Sequence, residues 1–468
     1  MQPLGHREIT CFKAYDLRGR LGPELDADIA YRVGRAFAQL RQARQVVIGR
    51  DSRASSPDLA AALARGLTDG GADVLDLGLA GTEEVYFATG HFGTDGGIEV
   101  TASHNPIDYN GMKIVGPGAA PLDPVTELAP LAELAQSGQF LVPAAKGRIS
   151  DFSRARQDYA RAIVDFVDIA ALRPMTILVN AGNGTAGPSF DAIAAELESR
   201  GAPLRFVRVN HQVDPTFPNG IPNPLLPENQ PMTSTALRQA GADLGIAWDG
   251  DFDRCFFFDG SGAFIPGEYI VGLLAAAFLE KAPGEKIVHD PRVVMNTRAI
   301  IADAGGQAVQ SRTGHAFIKR AMRDEGAIYG GEMSAHHYFR DFFHCDSGMI
   351  PWLLVVELLS RKGATLAKMV EGRMRMFPSS GEVNHLLDDP DAAIARVVAE
   401  FAPHALRRED QDGISLEFDG WRFNLRQSNT EPLVRLNVEA AGDADLVRAQ
   451  QARIQALLQA GSSKPKVT

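Results

Sequence analysis

The sequence predicts an α/β protein of four domains: three related α/β domains with mixed sheets, then a smaller C-terminal α+β domain, set around a central active-site cleft. Three observations predict it. An apolar run drops into a polar loop three times, at VVIGRDSR from Val46, TILVNAGNG from Thr176 and KIVHDPR from Lys286. Each is followed by a helical stretch and a second strand after glycine, and each block then sends a third strand into a loop dense in reactive groups, GIEVTASHNP, LGIAWDGDFDR and AIYGGEMSAHH. After about Phe377 the texture changes to strand, helix and hairpin. The 468 residues suffice for three or four domains of roughly 100–200 residues each. The expected boundaries are 1–149, 150–254, 255–373 and 374–468.

The elements follow from local pattern. Ile29, Val33, Phe37 and Leu40 share one helical face. Ser56-Pro57 reads as a cap followed by proline at the first helical position, Leu59, Leu63 and Leu67 line one stripe, and Gly70-Gly71 ends the helix. QVVIGRD, ADVLDLG and GGIEVTAS are short apolar runs bounded by turn residues, hence strands. In the last domain EVNHLL is a strand, Asp391–Phe401 a helix, ISLEFDGWRFNL a hairpin about Asp419-Gly420, LVRLNVEA a strand, and about Asp443 to Ala460 a helix. The tail GSSKPKVT is expected to be disordered. Ligands in open α/β sheets sit at the carboxyl ends of strands, so the three reactive loops are expected to face one cleft.

Composition narrows the function. A formal charge of −11 argues against nucleic acid or an anionic membrane as partner, without excluding a small anionic substrate. Cys11, Cys255 and Cys345 are odd in number and far apart, which disfavours a disulfide framework or a cysteine zinc site. The first residues lack a signal pattern and no apolar run approaches the roughly 20 residues of a membrane span. The chain is expected to be soluble and cytoplasmic.

Asp249, Asp251 and Asp253 stand at i, i+2 and i+4 in DGDFDR, between the apolar runs LGIAW and CFFFD. Carboxylates at that spacing repel one another unless a cation lies among them, and they suit a hard, oxygen-liganded ion such as Mg2+. An EF-hand is excluded by Arg254 and Gly260 at its sixth and twelfth positions, and an aspartate-nucleophile phosphatase by Asp253 where Thr or Val is needed. Arg426, Ser428, Asn429 and Thr430 form either a phosphate cradle or a polar hairpin turn. Glu332, Ser334, His336 and His337 fit either a hydroxyl clamp with a proton-transfer group or an ordinary loop. Ser103 in TASHNP lacks a G-x-S-x-G elbow, and a sequence-adjacent His104 rarely reaches back as a base, so a serine hydrolase is a poor fit. A phosphoryl-carrying serine needs instead a cation, phosphate-oxygen donors and a separate acid/base, for which DGDFDR, His104 and Lys113 are candidates.

TASHNP, DGDFDR, GEMSAHH and RQSNT, in this order, together with CFKAYDLRG, resemble the α-D-phosphohexomutases over nearly the whole chain, and most closely their bacterial phosphomannomutase branch. The resemblance implies that Ser103 carries the phosphoryl group and that Asp249, Asp251 and Asp253 bind Mg2+ with a phosphoserine oxygen. Lys113 and His336 would be the acid/base candidates, with Arg18 and Arg254 supporting the transferring phosphate and Tyr15 and His104 shaping that site. Glu332 and Ser334 would hold the sugar hydroxyls, Arg426, Ser428, Asn429 and Thr430 the other phosphate, with Arg292, His315 and Lys319 adding to ligand binding. Lys13, Arg292 and Ala335 depart from residues frequent in relatives, which bears on sugar preference. The implied activity is interconversion of mannose 6-phosphate and mannose 1-phosphate, with a hexose 1,6-bisphosphate as intermediate and activator. Glucose phosphates are the first alternative; a Mg2+-dependent phosphatase and a non-catalytic sugar-phosphate binder are the others. Small-molecule hexose phosphates are the expected partners, and the sequence leaves the oligomeric state open.

Overall fold

The computed structural model describes residues 2–427, 433–460 and 466–467. They fall into two compact units, Met1–Phe264 with His336–Gly363, and Ile265–Ala335 with Ala364–Thr468.

The first unit holds two mixed sheets. In one, Gly96–Val100, Gln45–Arg50, Asp73–Leu79 and Ile149–Asp151 run parallel, and Tyr109–Val115 and Leu17–Arg20 add antiparallel at the other edge. Ile29, Val33 and Phe37 of helix Ala27–Arg41 and Leu59, Leu63 and Leu67 of helix Ser56–Asp69 are buried in one core with strand residues Val46, Ile48, Ile98 and Val100. The second helix differs from its sequence reading. Ser56 is its first residue and Pro57 its second; the residue at the cap is Ser55, which makes no side-chain cap hydrogen bond, and the Ser56 hydroxyl donates to Asp51 Oδ1. Ser56 Oγ also accepts from Asn110 Nδ2 at 2.9 Å, so the serine ties the loop after Gln45–Arg50 to strand Tyr109–Val115.

In the other sheet Leu204–Val209, Met175–Asn180 and Leu244–Trp248 are parallel, and Cys255–Asp259 returns antiparallel to Leu244–Trp248. This differs from the expected domain boundary at 254/255. CFFFD is wholly buried against LGIAW, so the hairpin around the carboxylate loop keeps both arms in one sheet.

In the second unit, Gln307–Gln310, Lys286–His289 and Tyr329–Gly331 are parallel. The C-terminal sheet is antiparallel, in the order Arg407–Glu409, Ile414–Phe418, Trp421–Gln427, Leu433–Ala440, Ser379–Leu386, Lys466–Val467. Helices Pro390–Phe401 and Ala444–Gln459 bury Val397, Phe401, Ile454 and Leu458 against it. Lys466–Val467 pairs with Leu386 and His385 at the sheet edge, so this part of the expected disordered tail is a strand. No helix among the described residues is long and apolar enough to cross a membrane.

Glu83, in helix Thr82–His91, is fully buried, accepts from Gly348 N at 2.7 Å and from the Tyr159 hydroxyl, and burial pushes its carboxyl up to about 8. The folded state therefore holds a proton that the unfolded chain releases above the ordinary glutamate range. Its contribution to stability is complete below that range and is lost as pH rises toward 8, at up to ~1.4 kcal/mol per pH unit. Thermal unfolding from pH 5 to 8 should show a shallower fall in Tm for Glu83→Gln than for the parent chain; parallel slopes would mean that Glu83 is ionised throughout.

Candidate active site

Trp248 and Cys255 close the hairpin, and Asp249, Asp251, Asp253 and Arg254 on the turn between them are all buried. Close contacts fix this turn. A Cβ on Gly250 would lie 2.6 Å from the Ser103 carbonyl oxygen, so only glycine lets the two loops meet. A Cβ on Gly81 would strike the Phe252 ring, which plugs the turn from the side. The Gly250 carbonyl accepts from Thr185 N and Oγ1, and Thr82 donates to Asp251 through both N (3.2 Å, to the carbonyl) and Oγ1 (2.5 Å, to Oδ2).

Three buried carboxylates need positive charge, and two cations provide it. Lys113 Nζ donates to Asp251 Oδ2 at 2.7 Å and to Asp253 Oδ2. Burial opposes the Lys113 ammonium, but Asp251 and Asp253 outweigh it and hold its pKa above the ordinary lysine value. Within the carboxylate pair the asymmetry is clear. Burial works against both charges; Lys113 and Thr82 overcome it at Asp251, whose pKa lies below the usual range, while burial and the neighbouring Asp251 charge raise that of Asp253. Arg254 Nε donates to Asp249 Oδ2 at 2.9 Å, and that same oxygen accepts from Ser103 Oγ at 2.8 Å.

Ser103 has φ 50°, a left-handed conformation unusual outside glycine, and is buried. Arg53 sets its loop: the guanidinium donates to the carbonyls of Ser103, Asn105, Pro106 and Tyr109. This turn corrects one sequence expectation, because it brings His104 Nδ1 to 3.0 Å from Ser103 Oγ. The imidazole is nevertheless no base for the serine. Nδ1 also accepts from Arg254 Nη2 at 2.7 Å and has one lone pair to give. Burial and the Arg254 and Arg18 charges push the His104 pKa well below its usual value.

Arg18 donates to Asp16 (2.8 Å) and to Asn105 Oδ1 (2.5 Å); burial opposes its charge, and Asp16, Tyr15 and Asp251 more than restore it. His336 Nδ1 lies 2.9 Å from Asp346 Oδ2 and 4.0 Å from Asp253 Oδ1. Ser103, His104, Lys113, Arg18, Arg254, Tyr15, His336 and the three aspartates thus belong to one neighbourhood of the first unit.

In the second unit Arg292 is the hub. Its Nη2 donates to Asp290 Oδ2 (2.6 Å) and Ser334 Oγ (3.1 Å) and lies 3.5 Å from Glu332 Oε1. Glu332 accepts from Gly314 N at 2.9 Å, next to His315 at the start of helix His315–Glu325. Lys319 in that helix is wholly buried. Ala335 takes φ 71°, the backbone region where glycine is at ease. Arg426 is the next-to-last residue of strand Trp421–Gln427 and lies at the edge of the same charge cluster, 3.8 Å from Glu382. Ser428, Asn429 and Thr430 lie outside the described residues.

Four family models cover this chain in order: phosphoglucomutase/phosphomannomutase α/β/α domain I over 10–138, domain II over 157–262, domain III over 266–377 and the C-terminal domain over 382–457. The chain belongs to the phosphoglucomutase/phosphomannomutase family. It is 57% identical over 452 residues to a phosphomannomutase of Salmonella montevideo, covering 96% of this chain and 99% of that protein. A Xanthomonas campestris protein named phosphohexose mutases is 52% identical over 453 residues, with 96% and 99% covered. The crystal structure of a phosphoglucomutase/phosphomannomutase family protein from Burkholderia thailandensis superposes with a TM-score of 0.86 at 32% identity, covering 97% of this chain and 99% of that one.

The donor set in this family member suits a hard divalent cation. Asp249, Asp251 and Asp253 each offer an oxygen within 4.8 Å of the others, and the buried Oδ1 atoms of Asp251 and Asp253 have no hydrogen-bond partner among the described residues. All-oxygen, carboxylate-rich coordination is the chemistry of Mg2+ more than of softer metals.

Thr82, Arg53, Asn105 and Asp346 were missed by reasoning from sequence. Asn105 and Arg53 stand inside the motifs TASHNP and VVIGRDSR, but nothing in the pattern assigned either a partner. The one signal pointing to Thr82 was its place at a helix start after Gly81.

With Oδ2 of Asp251 held by Thr82 and Lys113, Oδ1 is the oxygen left to a cation. Thr82→Val keeps the shape and removes the hydroxyl, and a hydrogen bond to a charged group contributes ~1.5–3 kcal/mol. Calorimetric titration with Mg2+ should show affinity falling about tenfold or more in this variant and recovering in Thr82→Ser; unchanged affinity in Thr82→Val would remove Thr82 from the positioning of Asp251.

Proposed function

We propose that this chain is a Mg2+-dependent phosphomannomutase that interconverts mannose 6-phosphate and mannose 1-phosphate through a phosphorylated Ser103 and a hexose 1,6-bisphosphate. The observation that carries the proposal is the Ser103 hydroxyl, set on a strained turn against Asp249 and beside a buried carboxylate loop. The relatives named phosphomannomutase at more than half identity supply the sugar.

Phosphoryl transfer asks a protein chiefly for alignment and charge neutralisation. Asp249, Asp251 and Asp253 would hold the Mg2+, which when bound neutralises charge on the transferring phosphoryl group. Arg18 and Arg254 present N–H donors to the phosphate oxygens, and His104, neutral, helps to bound the site. A hydroxyl of the bound hexose monophosphate attacks the phosphorus on Ser103 as the bond to Ser103 Oγ breaks. His336, its Nδ1 held by Asp346, takes the hydroxyl proton. Lys113 enters as its ammonium, kept charged by Asp251 and Asp253, and supplies positive charge and a proton donor. The bisphosphate turns end for end, and the reverse transfer restores phosphorylated Ser103 and releases the isomer. Glu332 and Ser334 hold the sugar hydroxyls; Arg426 and Arg292 hold the phosphate that does not react, together with Ser428, Asn429 and Thr430, and His315 and Lys319 support that end.

A second reading, dual action on mannose and glucose phosphates, is favoured by the relative named phosphohexose mutases. Coupled assays with both sugar 1-phosphates, Mg2+ and bisphosphate activator should show isomer formation, faster with mannose. Release of inorganic phosphate without isomer would replace the mutase with a phosphatase, and binding without turnover would leave a sugar-phosphate binder. Ser103→Ala should lower kcat by about a thousandfold or more, and near-normal turnover in that variant would end the phosphoserine mechanism.

A further inference from the structure

Strands Leu204–Val209 and Met175–Asn180 are parallel neighbours, and Leu244–Trp248 pairs with the other side of Met175–Asn180. The chain leaves Met175–Asn180 for helix Ala186–Ser199 and leaves Leu204–Val209 for helix Gln230–Ala240. The two crossovers run in opposite directions along the sheet, so their right-handedness sends the helices to opposite faces. The carboxyl ends of the two strands therefore part, and open α/β sheets take ligands in such a crevice. A cavity of about 90 Å3 occupies it. Asn180, the last residue of one strand, and Asn210, the first past the other, line it together with Asn219, Asn223 and Asn229. Bonds among these side chains fix the lining. Asn180 Nδ2 donates to Thr233 Oγ1 at 2.9 Å, Asn210 Nδ2 to Asn180 Oδ1 at 3.2 Å, Asn219 Nδ2 to Asn210 Oδ1 at 3.0 Å, and Asn229 Nδ2 to the Asn223 carbonyl at 3.0 Å. Acceptors are left over. Asn223 Oδ1 is buried and has no hydrogen-bond partner among the described residues. No lysine, arginine or histidine is among the lining residues, and the one charged side chain there, Glu228, is exposed. Ile221, Pro222 and Met232 supply an apolar side.

We propose that this crevice is a second ligand site, for a neutral molecule that presents vicinal hydroxyls, such as one edge of an unphosphorylated hexose. A buried carboxamide oxygen without a donor calls for an O–H or N–H group, and leaving it unmet is costly. A phosphate or carboxylate finds no cation in the lining, and the Glu228 charge repels it. An apolar wall beside a few fixed polar groups suits a ring with hydroxyls on its rim and C–H groups on its face. The space equals that of about three water molecules, so one edge of the sugar enters and the rest stays in solvent. Pro222 separates the crevice from the carboxylate turn: a Cβ on Gly182 would lie 2.4 Å from Pro222 Cβ, and one on Gly250 4.0 Å from Pro222 Cγ. The two sites are thus neighbours that share no ligand-holding residue. The proposal goes beyond the mutase reading and does not depend on it, since none of these asparagines takes part in the transfer.

The test is binding of free mannose to the full chain, followed by ligand-observed NMR. Saturable binding is expected with a Kd on the order of a few mM, the level for a ligand of monosaccharide size held by one edge. Asn223→Leu removes the unmet acceptor and should weaken mannose about tenfold or more, with Tm and sugar-phosphate turnover as in the parent chain. Should that variant not fold, Asn219→Leu, at an exposed position of the rim, should weaken mannose about threefold or more. Glu332→Gln, which alters the proposed hydroxyl clamp of the second unit, should leave mannose affinity unchanged. No saturable binding would mean that the crevice holds water only, and overturns the proposal. Unchanged affinity in the asparagine variant that folds, or loss of mannose in Glu332→Gln, moves the sugar to the reaction site and overturns it equally. Mannose binding is read without turnover, so failure of the mutase reading leaves every one of these outcomes interpretable.

Discussion

Three carboxylates buried on one six-residue turn are the constraint on which the site in the first unit depends. Their repulsion has to be balanced before the hairpin can close. Lys113 takes two of them and Arg254 the third, and Thr82 adds a second donor to the Asp251 oxygen that Lys113 holds. Each partner comes from a different element, so the charge balance also ties the Tyr109–Val115 strand and the Thr82–His91 helix to the hairpin. The same balance leaves two carboxylate oxygens without hydrogen bonds among the described residues. The turn thus keeps two buried carboxylate oxygens whose chemistry suits a cation.

The second unit shows the opposite polarity. Arg292, Arg426 and Arg435 gather around Glu382; Arg292 is well satisfied by Asp290, whereas Arg426 and Arg435 make only long ion pairs among the described residues. On the proposed function the first unit would receive a cation and the transferring phosphoryl group, and the second would supply donors for a phosphate and for hydroxyls. In both, a buried charge of the wrong sign for the ligand keeps the group assembled: Lys113 among the aspartates, Glu382 among the arginines.

Much of this was legible in the sequence where function is written locally. Asp249, Asp251 and Asp253 crowd into five residues, and no ordinary turn between two apolar strands needs so much charge. The helices with a clear apolar stripe and the C-terminal hairpin at Asp419-Gly420 were legible for the same reason. What could not be read was long-range. Thr82 reaches Asp251 across 169 residues, and Asp346 gains meaning only where the fold sets it against His336. The 254/255 boundary misled because a reactive loop resembles a domain end, whereas here it joins two paired strands. His104 misled in the other direction. Adjacent side chains normally diverge, and the positive φ of Ser103 folds this pair together. Glu382 gave no signal, since a glutamate on a strand resembles any surface charge until three arginines surround it.

The whole chemical scheme turns on Ser103 as the carrier of the phosphoryl group. Intact-mass analysis of the full chain after incubation with hexose 1,6-bisphosphate and Mg2+, with peptide mapping of any added mass, tests this most directly. The predicted result is one added phosphoryl group, located on Ser103 and lost on treatment with excess hexose monophosphate. A phosphoryl group on another residue, or a chain that stays unmodified while turning over substrate, would contradict it.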